Sequence, residues 1–327
     1  MKEKGKSINS LMKHIRDHHN IDIGKGRSRD KQELLNMGYF HAYKAYKFVK
    51  TIDDPLDIKK FEEIRDIYEL DNNLKALLYP VVMKFETAIN NYTIDCVVTN
   101  SGTDLESIFE YKLNHYDDFE QGTIEYRKEM GKFLNLKRTF DTVIAHNYTK
   151  SEIIKHYVHS NQSVPIWAAF EMITLGDLGN FIERLNNNTR EKLSRNVGVF
   201  DRRFDTDNTL LSKHLYIIKD LRNAIAHNRP VFDCRFRTGN VKQSVIGHLE
   251  TWTNTKKINF QTITDYILLI SYYMKCFNFT KTEIKAFLRS YERLVLNYQK
   301  ESDNSDNFRK IFDVDAVAKI KKIIAIS

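Results

Sequence analysis

The sequence predicts an all-α protein, and three observations support this fold class. Proline and glycine are scarce, with 4 and 12 among 327 residues, so few helix breakers interrupt the chain. Long Leu/Ile/Lys/Asn-rich segments repeat apolar residues at intervals of three and four. Hydrophobic residues make up 42 %, which is enough for a sizeable core. We expect a basic N-terminal segment packed on the core (1–52), a helical domain (53–300) and a C-terminal helical tail (301–327).

The first segment contains the basic run "IGKGRSRDK" and the aromatic run "LLNMGYFHAYKAYKF". The spacing of its rings favours core packing, because large aromatic side chains dominate protein cores. The same rings could instead stack on nucleic-acid bases. The residues concerned are Tyr39, Phe40, Tyr43, Tyr46 and Phe48.

An amphipathic helix is predicted after the turn at 53–55, with Pro80 expected to kink or restart it. Glu86 lies on its apolar stripe, and two interpretations are open. It could be an exposed helix residue, or a buried carboxylate that supports Arg222 or His227 from a neighbouring helix. A polar insertion with short helices is expected near 99–135.

The next helical segment, 164–185, opens at Pro165, which suits a first helical turn. Within it, Gly176 and Gly179 allow a close backbone approach or a break. A further helix with one apolar face is expected to end near Arg229, before Pro230. Beyond it, apolar and charged residues alternate towards "TGN", which could turn one short hairpin. Two more helices follow.

The net charge is +8, and it is unevenly distributed. Residues 1–50 carry twelve Lys/Arg against five Asp/Glu, whereas residues 51–100 carry five against ten. A basic arm predicts a surface that faces a polyanion, most commonly RNA or DNA, although a generally lysine-rich composition would give the same charge. The residues expected to contact RNA are Lys25, Arg27, Arg29, Lys44 and Arg229.

The three cysteines are far apart and form no Cys-x-x-Cys pair, which argues against a disulfide scaffold or a zinc ribbon. The N-terminal residues lack the apolar stretch of a secretory signal, and the longest apolar run is too short and too polar to cross a bilayer. A soluble, cytoplasmic protein without a membrane partner is therefore expected. No Gly-rich phosphate loop is present, so no nucleotide cofactor is expected.

The stretch "KDLRNAIAHNRPVFD" (219–233) concentrates polar residues at the end of a helix. At 100° per residue Asn223 and His227 share one face, whereas Arg222 points about 140° away from His227. Arg222 and His227 can converge only if the last turn loosens, or if a second chain supplies the missing partner. The chain contains no other Arg-x4-His. A site with two histidines and two arginines would therefore require a homodimer with a two-fold axis through this helix.

These residue types suit RNA cleavage without a metal ion. A histidine can take the proton of a ribose 2′-OH or protonate the leaving 5′-oxygen. An arginine stabilises the charge on the phosphorane-like transition state, and Asn223 can orient the imidazole or bind a phosphate oxygen. The expected product is a 2′,3′-cyclic phosphate. The same spacing also suits a solvated helix end, where histidine and arginine contact exposed carbonyl groups.

Other histidines form weaker candidates. His14 and His18 are four apart with Asp17 and His19 adjacent, a spacing that could place metal ligands on one helical face. No complementary cluster accompanies them, so we favour a solvated or RNA-contacting face and expect no metal site. The pair at 156 and 159 is expected on a polar helix surface.

Four ordered blocks resemble the abortive-infection Abi family of bacteria (AbiD/AbiF-like proteins). "LRNAIAHNRPVFD" resembles the Arg-x4–6-His motif of HEPN ribonucleases, including the polar residue after the arginine. "LLNMGYFHAYKAYKF", "IYELDNNLKALLYPVVMKFETAI" and "PIWAAFEMITLGDLGNFIERL" resemble three further blocks of the Abi family. Phe40 and His41 replace a usual Tyr-Arg pair, and Asn90 replaces an arginine.

The resemblance implies a HEPN-type helical bundle, often dimeric, that acts as an endoribonuclease toxin in phage defence. Its catalytic residues would be Arg222, Asn223 and His227, supported by Glu86 and Asn228. Some such systems are associated with a structured small RNA, which could restrain the activity and would suit the basic N-terminal arm. The alternative is a non-catalytic RNA-binding or scaffold protein of the same defence system.

Overall fold

The computed structural model describes residues 5–24, 28–99, 101–237, 239–301 and 305–326, and within these ranges the chain is helical and contains no strand. The all-α prediction is therefore confirmed. The first eight α-helices are α1 (Ile8–His19), α2 (Ser28–Met37), α3 (Phe61–Val98), α4 (Leu105–Tyr111), α5 (Ile124–Asn147), α6 (Glu152–His159), α7 (Ile166–Phe170) and α8 (Leu175–Arg184). They are followed by α9 (Asn187–Val197), α10 (Leu210–Ala226), α11 (Gln243–Thr253), α12 (Ile263–Cys276), α13 (Lys281–Glu301), α14 (Ser305–Ile311) and α15 (Ala316–Ile326). A π-helix spans Tyr39–Lys44 and a 3₁₀ helix spans His115–Asp118.

Helix α3 is the central element of the fold, because α9, α10, α12 and α13 all pack against it. Its first turn is capped by Glu63, whose carboxylate accepts the Lys60 backbone N–H at 3.1 Å. The helix is continuous through Pro80, so the predicted restart there is wrong. Pro80 is exposed, and the apolar stripe continues on the opposite side into the core. The buried stripe includes Ile64, Ile67, Leu74, Leu78, Val82, Phe85 and Ile89.

Helix α8 packs closely on α10 at Gly179. A Cβ at this position would lie 2.8 Å from Cε1 of Tyr216 and 3.0 Å from Cδ2 of Leu215. The expected close backbone approach is therefore present at Gly179. At Gly176 the nearest atoms would be 3.5 Å away, which is an ordinary contact. The expected break lies before both glycines, where Thr174 and Asp177 form a capping box at the start of α8.

The polar stretch 99–135 contains α4, the 3₁₀ helix and the start of α5. Its apolar side chains are not all on the surface, since Ile108 and Leu113 are fully buried in the common core. Both histidines of α6, at 156 and 159, are exposed as expected.

The N-terminal segment shares the core with the rest of the chain, because Met12, Ile15 and Leu34 belong to the same apolar cluster as α3 and α12. The predicted aromatic cluster divides between two environments. Tyr43 and Tyr46 are buried, whereas Phe40 is 70 % exposed. Tyr39 and Phe48 are half-buried between them.

The predicted hairpin after Pro230 is wrong in the described part of this loop, where residues 230–237 form consecutive turns. The backbone N–H groups here donate to carboxylates rather than to a second strand. Asp71 accepts the N–H groups of Val231 and Phe232, and Asp233 accepts the N–H of Lys50 at 2.6 Å. Cys234 has a φ of +57°, which a strand residue does not adopt.

Two buried histidines lie between α10, α11 and α12. His214 is completely buried, and its Nδ1 is 3.0 Å from the hydroxyl of Tyr273. The ring of His248 lies 5.3 Å from that of His214 and packs edge-on against Tyr272. Burial lowers the pKa of both, and that of His248 falls to about 4. Both imidazoles are therefore neutral at neutral pH.

Candidate functional site

Helix α10 ends in a Schellman motif, which fixes the backbone after Arg222. The last helical residue is Ala226, and His227 caps the helix. The N–H of Asn228 donates to the carbonyl of Ile225 at 3.1 Å, and the N–H of Arg229 donates to that of Ala224 at 2.8 Å. Asn228 has a φ of +50°, a conformation that asparagine tolerates better than most residues. The helix thus ends three residues before Arg229, the end predicted from Pro230 alone.

Arg222 is held by Glu86 of the central helix. Its Nε donates to Glu86 Oε2 at 2.9 Å and its Nη2 donates to Oε1 at 3.3 Å, so the guanidinium lies side-on against the carboxylate. The two side chains are 31 % and 16 % exposed. Of the two interpretations of Glu86, an exposed residue or a carboxylate that supports the motif, the structure agrees with the second, because Glu86 contacts Arg222. Nη1 takes no part in this pair, so a phosphate oxygen can still approach Arg222 from the solvent side.

His227 and Asn223 are accessible at the same helix end. His227 is exposed, and its ring forms no hydrogen bond or ion pair within the described ranges. Asn223 is half-buried, and its carbonyl accepts the backbone N–H of His227 at 3.0 Å. The last turn of α10 stays regular through Ala226, so it does not loosen around Arg222. In a single chain, Arg222 is bonded to Glu86 and not to His227.

Asp71, which the sequence analysis did not single out, organises the loop after the motif. It is fully buried and its two oxygens accept from four donors. Oδ1 accepts the backbone N–H groups of Val231 at 2.7 Å and Phe232 at 2.8 Å. Oδ2 accepts the hydroxyl of Tyr46 and the ammonium of Lys75, each at 2.7 Å. A buried carboxylate with four donors has no unsatisfied oxygen, so its burial is compensated.

Lys75 connects this network to the motif. Its ammonium group also donates to Oδ1 of Asn228 at 2.8 Å, directly beside His227. The amide side chain of Asn228 is therefore anchored while its backbone ends the helix. A sequence signal for this pair exists, because Asp71 and Lys75 are a charged i, i+4 pair placed on an otherwise apolar stripe.

The residues expected to bind RNA do not form one cluster. Lys25 and Arg27 lie outside the described residues. Arg29 is exposed and pairs with Glu33 at 2.9 Å, Lys44 lies on the π-helix, and Arg229 follows the motif on the surface. Among the described members of this set, Arg229 lies two residues beyond His227 in the sequence.

The N-terminal histidines contact one another through their rings. The ring of His14 is 4.6 Å from that of His18 and 5.1 Å from that of His19. Among the residues described, no group of three possible ligands is arranged to hold a metal ion. Burial lowers the pKa of His19, and a similar effect together with Lys6 lowers that of His14.

These features define an all-helical protein with a polar site at the C-terminal end of one helix, supported by charged residues of a long central helix. A family model described as Abi-like protein matches residues 32–233. The match covers more than half of the sequence, and the chain belongs to the Abi-like family, which associates it with abortive infection in phage defence. Comparison with curated proteins and with solved structures gave no match. None of the described helices combines the length and the apolar character needed to span a membrane.

Proposed function

We propose that this chain is an endoribonuclease of the HEPN type that acts in phage defence and needs no metal ion. The observation that carries the proposal is the side-on pair between Arg222 and Glu86 in the last part of α10, a helix whose capping residue is the exposed His227. A guanidinium in fixed orientation and an accessible imidazole on the same helix end supply the groups needed for charge stabilisation and proton transfer.

The proposed reaction transfers the phosphodiester to the neighbouring 2′-oxygen. One His227 accepts the proton of the 2′-OH as this oxygen bonds to phosphorus, and the bond to the 5′-oxygen breaks. A second imidazole donates a proton to the leaving 5′-oxygen. The products are a 2′,3′-cyclic phosphate and a 5′-hydroxyl, and the reaction consumes no water. Arg222 stabilises the additional negative charge on the equatorial oxygens.

The second imidazole would come from a second copy of the chain. The sequence contains a single Arg-x4-His, and Arg222 and His227 are not bonded to each other within one chain. We propose a homodimer in which the α10 ends of both copies face each other across a two-fold axis. Asn223, half-buried on the same helix, would orient one imidazole or bind a phosphate oxygen.

The test is cleavage of RNA by the purified protein in the presence of EDTA. We expect cleavage that leaves 2′,3′-cyclic phosphate ends and falls by at least about a hundredfold in His227→Ala and in Arg222→Ala. The exposed His159→Ala is the matched control and should retain activity. The circular dichroism of each variant checks the fold. Cleavage that requires a divalent ion, or that survives both substitutions, would contradict the proposal.

A second candidate is a non-catalytic RNA-binding or scaffold protein of the same defence system. It is favoured by the pairing of Arg222 with Glu86, since a neutralised guanidinium at a helix end can be purely structural. This candidate predicts salt-sensitive binding of a structured RNA, unchanged in His227→Ala, and no cleavage product. A bound small RNA could also restrain an active enzyme, and the ratio of absorbance at 260 and 280 nm of the purified protein would detect such a molecule.

A further inference from the structure

A groove of about 510 Å³ lies between the N-terminal segment and the loop that follows the motif. We call it the aromatic–basic groove. The imidazoles of His14 and His19 of α1 lie on its lining. The lining also includes six aromatic or cationic side chains from the π-helix, from the residues just after it and from the loop after α10. They are Tyr39, Phe40, Lys44, Lys47, Phe48 and Arg235.

The charge of the groove is positive and only partly neutralised. No carboxylate lines it. Arg235 pairs with Asp233 at 2.7 Å, whereas Lys44 and Lys47 form no ion pair within the described ranges. Their ammonium groups lie over aromatic rings, at 5.6 Å from the ring centre of Tyr39 and 5.9 Å from that of Tyr43. Two cations thus remain available to an anionic ligand.

The rings of the groove take part in stacking contacts within the chain. Tyr39 stacks on the buried Tyr43 at 5.2 Å with an interplanar angle of 22°, and Arg235 lies 4.2 Å above the ring of Phe48. Phe40 is 70 % exposed at the same groove, as is Ile52. Phe40 therefore adds a solvent-accessible aromatic ring to the groove beside the stacked tyrosine pair.

We propose that this groove binds an unpaired segment of RNA, with bases on Phe40 and Tyr39 and phosphates on Lys44 and Lys47. Single-stranded nucleic acid offers planar bases and regularly spaced anions together, and proteins bind it with aromatic platforms in basic grooves. An acidic peptide would use the cations but not the stacked rings. An anionic membrane is typically bound by the apolar face of one amphipathic helix, whereas this groove is lined by several segments of the chain.

The groove is joined to the candidate active site through the chain. Nη2 of Arg235 donates to the carbonyl of Phe48 at 2.8 Å, and Arg235 is only eight residues beyond His227. Their Cα atoms are therefore at most about 29 Å apart. A strand of about nine stacked nucleotides spans that distance. The part of the inference that directs this strand to His227 rests on the proposed function.

The experiment measures binding without cleavage. A fluorescein-labelled oligouridine of about twelve nucleotides, with 2′-O-methyl groups that prevent the reaction, is titrated with the full chain and followed by anisotropy. Phe40→Ala should weaken binding about tenfold, since stacking on one ring contributes at that level. Lys44→Ala/Lys47→Ala should reduce the slope of log K against log salt by about 1.4.

Two substitutions serve as matched controls. Lys84 also lies over a ring, that of Phe279 at 5.1 Å, and Tyr111 is 60 % exposed, but neither lines the groove. Lys84→Ala and Tyr111→Ala should therefore leave the affinity unchanged. Phe40 and Lys44 are exposed and Lys47 is half-buried, and thermal unfolding checks that both groove variants fold.

Three results would overturn the inference. The first is that both groove variants bind the oligouridine with the same affinity and the same salt dependence as the original chain. The second is equal binding of a fully paired RNA hairpin, whose bases are not available for stacking. The third is Phe40-dependent binding of phosphatidylserine vesicles with no binding of the oligouridine. If binding depends on the groove residues but the protein cleaves no RNA, the groove inference stands and the nuclease proposal is contradicted.

Discussion

The residues of the candidate site lie in different physical environments. Arg222 is oriented by a carboxylate, Asn228 is selected by its left-handed backbone and the ammonium of Lys75, and His227 is left exposed. The sequence pattern identified these three positions because their residue types are unusual together. The charged pair of Asp71 and Lys75 on an apolar stripe marks Asp71 in the sequence, but its other donors are distant in sequence and could not be predicted.

Glu86 is a positioning residue in the proposed site, so its removal should affect turnover more than binding. We expect Glu86→Ala to lower kcat about ten- to hundredfold with little change in KM, because Arg222 loses its fixed orientation. Glu86→Gln, which still accepts a hydrogen bond, should recover part of the loss. The pair is partly exposed, so stability should change by less than about 1 kcal/mol.

A comparable ion pair on α9 provides the control for Glu86. Glu191 pairs with Arg195 at 2.7 Å on an exposed helix face. Glu191→Ala should leave kcat unchanged in the same cleavage assay. If Glu86→Ala kept full kcat, or lowered kcat only in proportion to unfolded protein, the positioning role would be refuted.

The buried histidines give a prediction about pH. The folded pKa of His248 is lowered to about 4, below the ordinary value of 6.5, so the unfolded chain binds a proton that the folded chain does not. Folding stability should therefore fall as the pH decreases from about 6.5 towards about 4. Between pH 7 and pH 5 this histidine alone should reduce the free energy of unfolding by about 2 kcal/mol.

His248→Phe should remove that part of the pH dependence. Nδ1 of His248 has no hydrogen-bond partner among the described residues, and its ring packs on Tyr272, so a phenylalanine ring can replace it. Urea unfolding at pH 7 and pH 5 measures the difference. His156→Phe on the exposed face of α6 is the control and should keep the original pH dependence. An unchanged pH slope in His248→Phe would show that this histidine is not responsible.

At the scale of elements, the packing of α8 on α10 determines where the motif helix lies. Gly179 lets the two helices approach, and an alanine there would place its Cβ 2.8 Å from the ring of Tyr216. Gly179→Ala should lower the free energy of unfolding by about 1–3 kcal/mol through overpacking, reduced by about 1 kcal/mol of gained helix propensity. The melting temperature should decrease accordingly.

Gly176 in the same helix provides the comparison for Gly179. Its Cβ would meet atoms only at 3.5 Å, so Gly176→Ala should be neutral or raise stability by up to about 1 kcal/mol. Thermal unfolding of both variants separates the packing effect from helix propensity. Equal melting temperatures for the two alanine variants would mean that Tyr216 moves aside without cost.

The elements that could be predicted are those whose signal is local. Periodic apolar residues predicted the long helix α3, and Pro165 correctly marked the start of a helical segment. The hairpin prediction failed because alternation of apolar residues was the only evidence for it. In the structure, backbone N–H groups in and around that loop donate to the carboxylates of Asp71 and Asp233 instead of to a neighbouring strand.

At the scale of the whole molecule, the fold class and the family could be inferred from the sequence, whereas the surfaces could not. The aromatic run of the N-terminal segment illustrates the reason. Its rings are similar in type and spacing, yet Tyr46 is buried against Asp71 and Phe40 faces solvent. Exposure depends on which neighbouring element covers a ring, and single-sequence patterns carry no information on that.

The hydrogen bond between Tyr46 and Asp71 limits how far the N-terminus of this protein can be truncated. The hydroxyl of Tyr46 and the amides of Val231 and Phe232 share one buried carboxylate. Trimming the chain at residue 52 would remove Tyr46 and leave Asp71 short of a donor inside the core. The backbone of Lys50, which holds Asp233, would be lost at the same time. The N-terminal segment therefore behaves as a structural part of the motif loop, and a minimal fragment with an intact motif loop has to retain it.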